Sequence, residues 1–399
     1  MRFSNLASSA RRRVADQLYR RQVKWQTLDE LASVEVMELR SGEPIPLAGE
    51  EVPLLEHPEG RLGEYERLPP ARTAELRDVL FCPAYRIAML DPFRVLADTV
   101  NDAYPFRIRR DAVIGPVRRS VSEPATNFRG RWGNYYHTLL DTFPRLQLLA
   151  DPHFDRYDDV QLLCPGGLHP FERILLEKMP LPDRFHIREV DPEKVYEVDR
   201  FLHLPFPSRR FCGSIPRWYR DTIAERLLPQ RPCRREHRIL ISREGAQKRR
   251  MVNFDDLVAA LRPEGFEVYR LEELTPDEQI ELFYDAEMIV GAHGAGLTNA
   301  IFSAEVQVLE IFPDWYVLPH YLFLCRSMGH EYAYYVSRPL GVDQDRRAAS
   351  ERILKDLSAY NDADFTVDVN RVLSTLGELR RRGRGSSRAS RPGAVRTSG

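Results

Sequence analysis

The chain has 399 residues, a formal net charge of −1 and a hydrophobic fraction of 43%, enough for roughly two folded domains plus extensions. The balanced charge removes any overall drive toward nucleic acid or an anionic membrane. Five scattered cysteines, odd in number and without a C-x-x-C pair, support neither a zinc site nor a disulfide framework and suit a reducing cytosol.

Only Lys24, Lys178, Lys194, Lys248 and Lys355 among the 58 basic residues are not Arg, so the chain is rich in planar forks suited to phosphate. The N-terminus, MRFSNLASSARRRVADQLYRRQVKW, lacks an apolar stretch long enough for a signal peptide or a membrane span. A cytoplasmic chain is therefore expected. Its arginines could touch the inner membrane surface, although a solvated basic helix is the simpler reading. Residues 1–75 read as an N-terminal extension. A first domain, 76–230, holds a short β-like run at Val113–Gly115 and apolar residues at helical spacing from Tyr135 to Ala150: Leu139, Leu140, Phe143, Leu146 and Leu149. Pro144 should bend or split that helix. VQLLC reads as a strand, FERILLEKM as a helix, KVYEVDRFLHLPF as two strand candidates, and Ile215–Leu228 as a closing helix before the linker QRPCRREH.

The second domain, 231–340, is the clearest. RILIS is a strand, NFDDLVAALR a helix with Asn253 at its N-cap, and FEVYRL a strand. Thr275-Pro276-Asp277-Glu278 is a capping box opening a helix to about Ala286. MIVGAHGAGLTN follows as strand, glycine turn and helix start, then VQVLEIF as another strand. Such alternation argues for a parallel sheet covered by helices, with ligands bound at the carboxyl ends of its strands. C-terminal helices over 341–382 carry Ile353, Leu354, Leu357, Val369, Val372, Leu373 and Leu376 and could cross back onto the first domain; 383–399 should be disordered.

Polar residues gather at those strand ends. A glycine turn before a helix presents unpaired N–H groups to an anion; here it offers His293, Gly294, Ala295, Gly296 and Asn299. Plain tight packing is the competing reading, and the spacing is not the dinucleotide fingerprint. Arg243 and Lys248 follow the first strand and could neutralise a diphosphate; Arg249 and Arg250 read as a solvated turn. Glu310, between apolar residues, must be paired or functional if buried, and could accept from ribose hydroxyls.

In this order and spacing, ISREGAQKRRMVN, DAEMIVGAHGAGLTNAIFS and VLEIFP, with GNYYHTLLDTFPRL upstream, resemble glycosyltransferase family 61, from about Asn127 to about Pro313. The resemblance implies a GT-B-like α/β fold: two Rossmann-like domains facing across a cleft, with helical N- and C-terminal extensions. It implies an inverting, metal-independent glycosyltransferase that moves a sugar from a nucleotide-diphosphate sugar, with a UDP-sugar as the first expectation and no cofactor. The acceptor would be a glycan or lipid-linked glycan in bacterial surface or capsular polysaccharide synthesis. Such a transfer needs a base for the acceptor hydroxyl and positive charge for the departing diphosphate. His137 and Asp141, four apart on one helical face, are the two candidates for the base, Asp141 slightly preferred; Trp132 and Asn134 shape the turn before them. The structural alternative is that these residues only anchor the helix. Two D-x-D runs, Asp343–Asp345 and Asp362–Asp364, follow no strong strand and read as solvent-facing, so no metal site is assigned. A non-catalytic nucleotide-sugar-binding regulator or scaffold is the second hypothesis. A nucleic-acid partner is disfavoured because no aromatic-basic module is visible.

Overall fold

The computed structural model describes residues 14–45, 67–101, 108–208, 213–245, 249–313, 317–339 and 364–389. Lys248, Asp343, Asp345, Asp362 and the helical residues Ile353, Leu354 and Leu357 lie outside them. The chain is a mixed α/β protein of two compact units, divided between Tyr219 and Arg220. That division falls inside the helix Arg217–Arg226 rather than at the linker near 230.

The first unit is built on a ten-stranded mixed sheet. Its strands are β1 (Lys24–Gln26), β2 (Val36–Arg40), β3 (Ala71–Cys82), β4 (Ile87–Asp91), β5 (Arg94–Leu96), β6 (Arg118–Val121), β7 (Ala125–Asn127), β8 (Val160–Pro165), β9 (Phe185–Val190) and β10 (Val195–His203). They run in the order β1-β5-β4-β3-β10-β7-β8-β9, with β2 on β3 and β6 on β10. Only part of this sheet has the parallel character expected of a Rossmann-like domain: β7, β8 and β9 are parallel, whereas β3 is antiparallel to β2, β4 and β10. The antiparallel half follows from tight turns. Cys82-Pro83-Ala84-Tyr85-Arg86 reverses the chain with Arg86 in the left-handed region, φ 56°, and Asp91 Oδ1 accepts from Phe93 N at 2.8 Å to close the next hairpin. Lys24–Gln26 and Val36–Arg40 are thus strands of this sheet, not a separate extension. Val113–Gly115 is no strand; it follows a 3-10 turn at Arg110–Ala112. The two candidates in KVYEVDRFLHLPF are one nine-residue strand, β10.

The second unit contains β11 (His237–Ile241), β12 (Phe266–Tyr269), β13 (Ala286–Ala292), β14 (Gln307–Phe312) and β15 (Glu331–Val336), all parallel, in the order β12-β11-β13-β14-β15. The helices Phe254–Leu261, Pro276–Tyr284 and His320–Met328 and the 3-10 helix Ala295–Phe302 make the crossovers. The capping box forms as read: Glu278 N donates to Thr275 Oγ1 and Thr275 N to Glu278 Oε2 at 2.7 Å. Asn253 stands at its N-cap position, but its side chain exchanges hydrogen bonds with the Val367 backbone instead. One face of the sheet is a core of Leu240, Val290, Leu309 and Ile311 closed by Leu257, Leu261, Val372, Leu376 and Leu379. The last three belong to the helix Val369–Ala389, which therefore covers this sheet. That helix also carries the chain past 383, where order was not expected.

Candidate functional site

Sequential strands β11 to β15 take positions 2-1-3-4-5 in their sheet, so the strand order reverses between β11 and β13. The crossovers leave on opposite faces there, and a crevice opens at the carboxyl ends of those strands. A cavity of about 350 Å³ lies at that place, lined by Ile241, Arg243, Glu244, Arg250–Val252, Phe254, Asp255, Ala292 and Asp364.

Arg243, at the end of β11, reaches over the turn after β13 and donates from Nη1 to His293 O at 2.7 Å. A methyl group on Gly294 would overlap that same Nη1, so glycine lets Arg243 lie close against the turn. Gly291 and Gly296 are needed for packing: a Cβ on Gly291 would meet Ile241 at 3.2 Å, and one on Gly296 would meet Leu271 at 2.9 Å. Ala295 and Gly296 begin the 3-10 helix, whose first N–H groups have no partner inside it. The loop's glycines thus allow close packing and the approach of the Arg243 guanidinium.

His293 is buried and bound on two sides. Its N–H donates to Ile311 O at 2.8 Å, and Nδ1 lies 2.5 Å from Glu310 Oε1. Glu310, fully buried, accepts from Tyr332 OH on Oε2 at 2.6 Å. Burial pushes the Glu310 carboxyl well up and the His293 imidazole well down, the latter helped by Arg249 and Arg243. A single proton shared between Glu310 and Nδ1 satisfies both, and it leaves Nε2 carrying the other ring proton as a donor. Glu310 has no exposed oxygen for ribose; it holds the His293 ring instead. Glu244, Asp255 and Asp364 are the carboxylates that line the cavity without burial in the sheet. Asn299 is also buried, its amide donating to Gln279 Oε1 at 2.8 Å, which ties two helices together. Arg250 pairs with Asp364 at 2.7 Å, so this member of the second D-x-D run is held by a cation. Tyr332 and Tyr321, whose OH donates to Gly294 O at 2.6 Å, were not found from sequence; both follow the last strand that the apolar pattern marks.

In the first unit, Tyr135–His137, a π-helical turn Thr138–Thr142 and Phe143–Gln147 run on as one helix. Pro144 has no N–H for the α-helical bond, and Phe143 N donates five residues back to Thr138 O, so the split expected at Pro144 takes the form of a π turn. His137 Nδ1 lies 2.6 Å from Asp141 Oδ2. Asp141 is buried, with Asn101 Nδ2 on its other oxygen at 3.4 Å. A buried carboxylate on Nδ1 selects the tautomer with a lone pair on Nε2. Asp141 thus orients the His137 ring. Asn134 caps the helix, its Oδ1 accepting from His137 N at 3.1 Å, and the exposed Trp132 stacks on the His137 ring at 6.2 Å.

Sequence reasoning missed what holds this turn. Arg129 is buried and donates to Glu172 Oε1 at 2.6 Å and to the Pro165 and Gly167 carbonyls at 3.2 and 2.8 Å. Glu172 also accepts from His169 N and Thr138 Oγ1.

Residues 135–309 match the family model described as Glycosyltransferase 61; the segment includes His137, Asp141, Arg243 and His293 and stops one residue before Glu310. Beta-1,2-xylosyltransferase XAX1 of Oryza sativa subsp. japonica is 34% identical over 246 residues, 59% of this chain and 39% of that one. The chain thus matches about two fifths of the relative's length. Over these residues the chain is similar to glycosyltransferases of family 61. No helix among the described residues is long and apolar enough to cross a membrane.

Proposed function

We propose that this chain is an inverting glycosyltransferase that moves a sugar from a nucleotide-diphosphate sugar to a hydroxyl of a glycan or lipid-linked glycan. In this reading the fold is of the GT-B kind, the donor is a UDP-sugar, and the reaction serves surface polysaccharide synthesis on the cytoplasmic side. The rice relative's name makes UDP-xylose the first donor to try. The observation that carries the reading is the corner at the β11–β13 switch point, where Arg243, His293 and Gly294 meet beside a cavity of nucleoside size.

His137 Nε2 takes the acceptor's O–H proton as that oxygen attacks the anomeric carbon. The bond from that carbon to the diphosphate oxygen breaks, and the nucleoside diphosphate leaves with the electron pair. Asp141 stabilises the imidazolium formed on His137. Arg243, with Lys248 and the N–H groups of Ala295 and Gly296, takes up the developing phosphate charge, so arginine rather than a metal ion supplies the cation. His293 Nε2–H is a further donor. The ribose hydroxyls fall to Glu244 or Asp255. Trp132 offers a flat face to an acceptor sugar ring.

The test is a thermal-shift screen of UDP, UDP-xylose and other nucleotide sugars on wild type, Arg243→Ala and Asp141→Asn. A ligand at a hundred times its Kd should stabilise the fold by about 2.7 kcal/mol. Stabilisation of wild type and Asp141→Asn but not Arg243→Ala supports the donor site. Slow donor hydrolysis lost in Asp141→Asn then separates the enzyme from a non-catalytic binder. No shift with any nucleotide sinks the reading.

A further inference from the structure

The N-terminal helix over 14–22 and the strand after it carry exposed apolar side chains. Tyr19 anchors the helix: it is buried, its OH donates to Pro92 O at 2.6 Å, and its ring lies 5.5 Å from that of Phe93. The outward side of the same helix carries Val14 and Leu18, 57% and 56% exposed. Lys24 N then donates to Phe93 O at 2.8 Å, and β1 pairs with β5 as the outermost strand of the sheet. Trp25 and Phe93, 42% and 39% exposed, stand on these two joined segments.

Cations are set among these apolar groups. Arg21 follows Leu18 by three residues on the same helical face, and Lys24 precedes Trp25; both are exposed. Neither side chain has an ion-pair partner among the described residues. The neighbouring carboxylates are engaged: Asp16 accepts from Arg110 N at 3.0 Å, and Asp91 accepts from Phe93 N and Arg94 Nε. In sequence, Arg11, Arg12 and Arg13 lead directly into this helix.

We propose that this face is a peripheral docking surface for an anionic lipid bilayer. The charge complementarity favours that occupant. A protein interface would centre on apolar residues and be depleted of lysine, and a nucleic acid would have no use for Val14 and Leu18. A bilayer surface takes both kinds at once: Leu, Val and Phe at the acyl boundary, Trp at the headgroups, and Arg and Lys against lipid phosphates. The inference does not depend on the donor site.

Co-sedimentation of the full chain with phosphatidylcholine vesicles, with and without phosphatidylglycerol, tests it. The protein should pellet with the mixed vesicles only, and less so at high salt. The double variant Arg21→Glu/Lys24→Glu should bind at least about tenfold more weakly. Val14→Ser/Leu18→Ser should also bind more weakly. All four positions are exposed, so melting temperature and nucleotide-induced shifts should not change, which keeps this test separate from that of the donor site. Wild type remaining in the supernatant with mixed vesicles overturns the proposal. So does charge reversal without effect, which would place lipid binding elsewhere on the chain. A dimer that Leu18→Ser breaks, with no vesicle binding, would assign the face to a second copy.

Discussion

At the scale of single residues, the corner made by Arg243 and Gly294 is the most sensitive point. A Cβ at position 294 collides with the far end of a flexible side chain rather than with backbone. Gly294→Ala should therefore cost under about 1 kcal/mol of stability, because Arg243 can swing aside. Displacing Arg243 from His293 O should nevertheless weaken nucleotide binding by about tenfold, or 1.4 kcal/mol, measured by calorimetric titration; unchanged affinity would remove Arg243 from the site. The His137–Asp141 pair makes a second prediction. In Asp141→Asn the amide can donate to Nδ1 and drive the proton to Nε2, abolishing the base while keeping the ring in place. Transfer should fall by about a hundredfold or more with donor affinity intact, and His137→Ala should fall comparably. If His137→Ala stays active while Asp141→Asn is dead, the base is Asp141, as the sequence reading slightly preferred.

At the scale of elements, the helix bearing His137 depends on a loop pinned by a buried ion pair. Arg129→Ala would leave Glu172 charged, buried and short of its main partner, so urea melts should show a loss of about 3–5 kcal/mol; a loss under about 1 kcal/mol would mean Glu172 finds other donors. The same elements show what the sequence made legible. RILIS, MIVGA and VQVLEIF were readable because strands of a parallel sheet are buried on both faces and become continuous apolar runs. By contrast, β3 holds AELR, a run of good helix formers, and its pairing with β2, β4 and β10 makes it a strand. The helix His320–Met328 and strand β15 went unread, and with them Tyr321 and Tyr332, the phenols that hold Gly294 O and Glu310. Glu310 was recognisable as a buried acid in need of a partner, but its partners lie 17 and 22 residues away, a distance that only the sheet register resolves.

For the whole molecule, acid stability should be set by histidines buried in each unit. Burial, with Arg145 and Arg72 nearby, pushes His203 down to about 3. Burial takes His330 down to about 4, where its Nε2–H donates to Ala300 O. An unfolded imidazole titrates near 6.5, so the unfolded chain takes up protons first. This contribution is complete above pH 6.5 and is lost as pH falls toward 4 and 3. By pH 5 each histidine should cost about 2 kcal/mol. Melting curves should drop steadily between pH 7 and 5, and His330→Gln should flatten the curve of the second unit. A melting temperature constant over that range would show that the folded histidines titrate normally.

The helix Val369–Ala389 also shapes how the chain comes off the ribosome. It supplies Val372, Leu376 and Leu379 to the core over β11, β13 and β14, more than 50 residues after the last of those strands ends at Phe312. During synthesis the sheet can pair long before this lid exists, and Leu240, Val290 and Leu309 stay open to other nascent chains in the meantime. Parallel pairing is slow to form in any case, so the second unit should lean on chaperones. A chain cut after Asp364 should collect in inclusion bodies, and supplying the missing helix as a separate peptide during refolding should recover soluble protein.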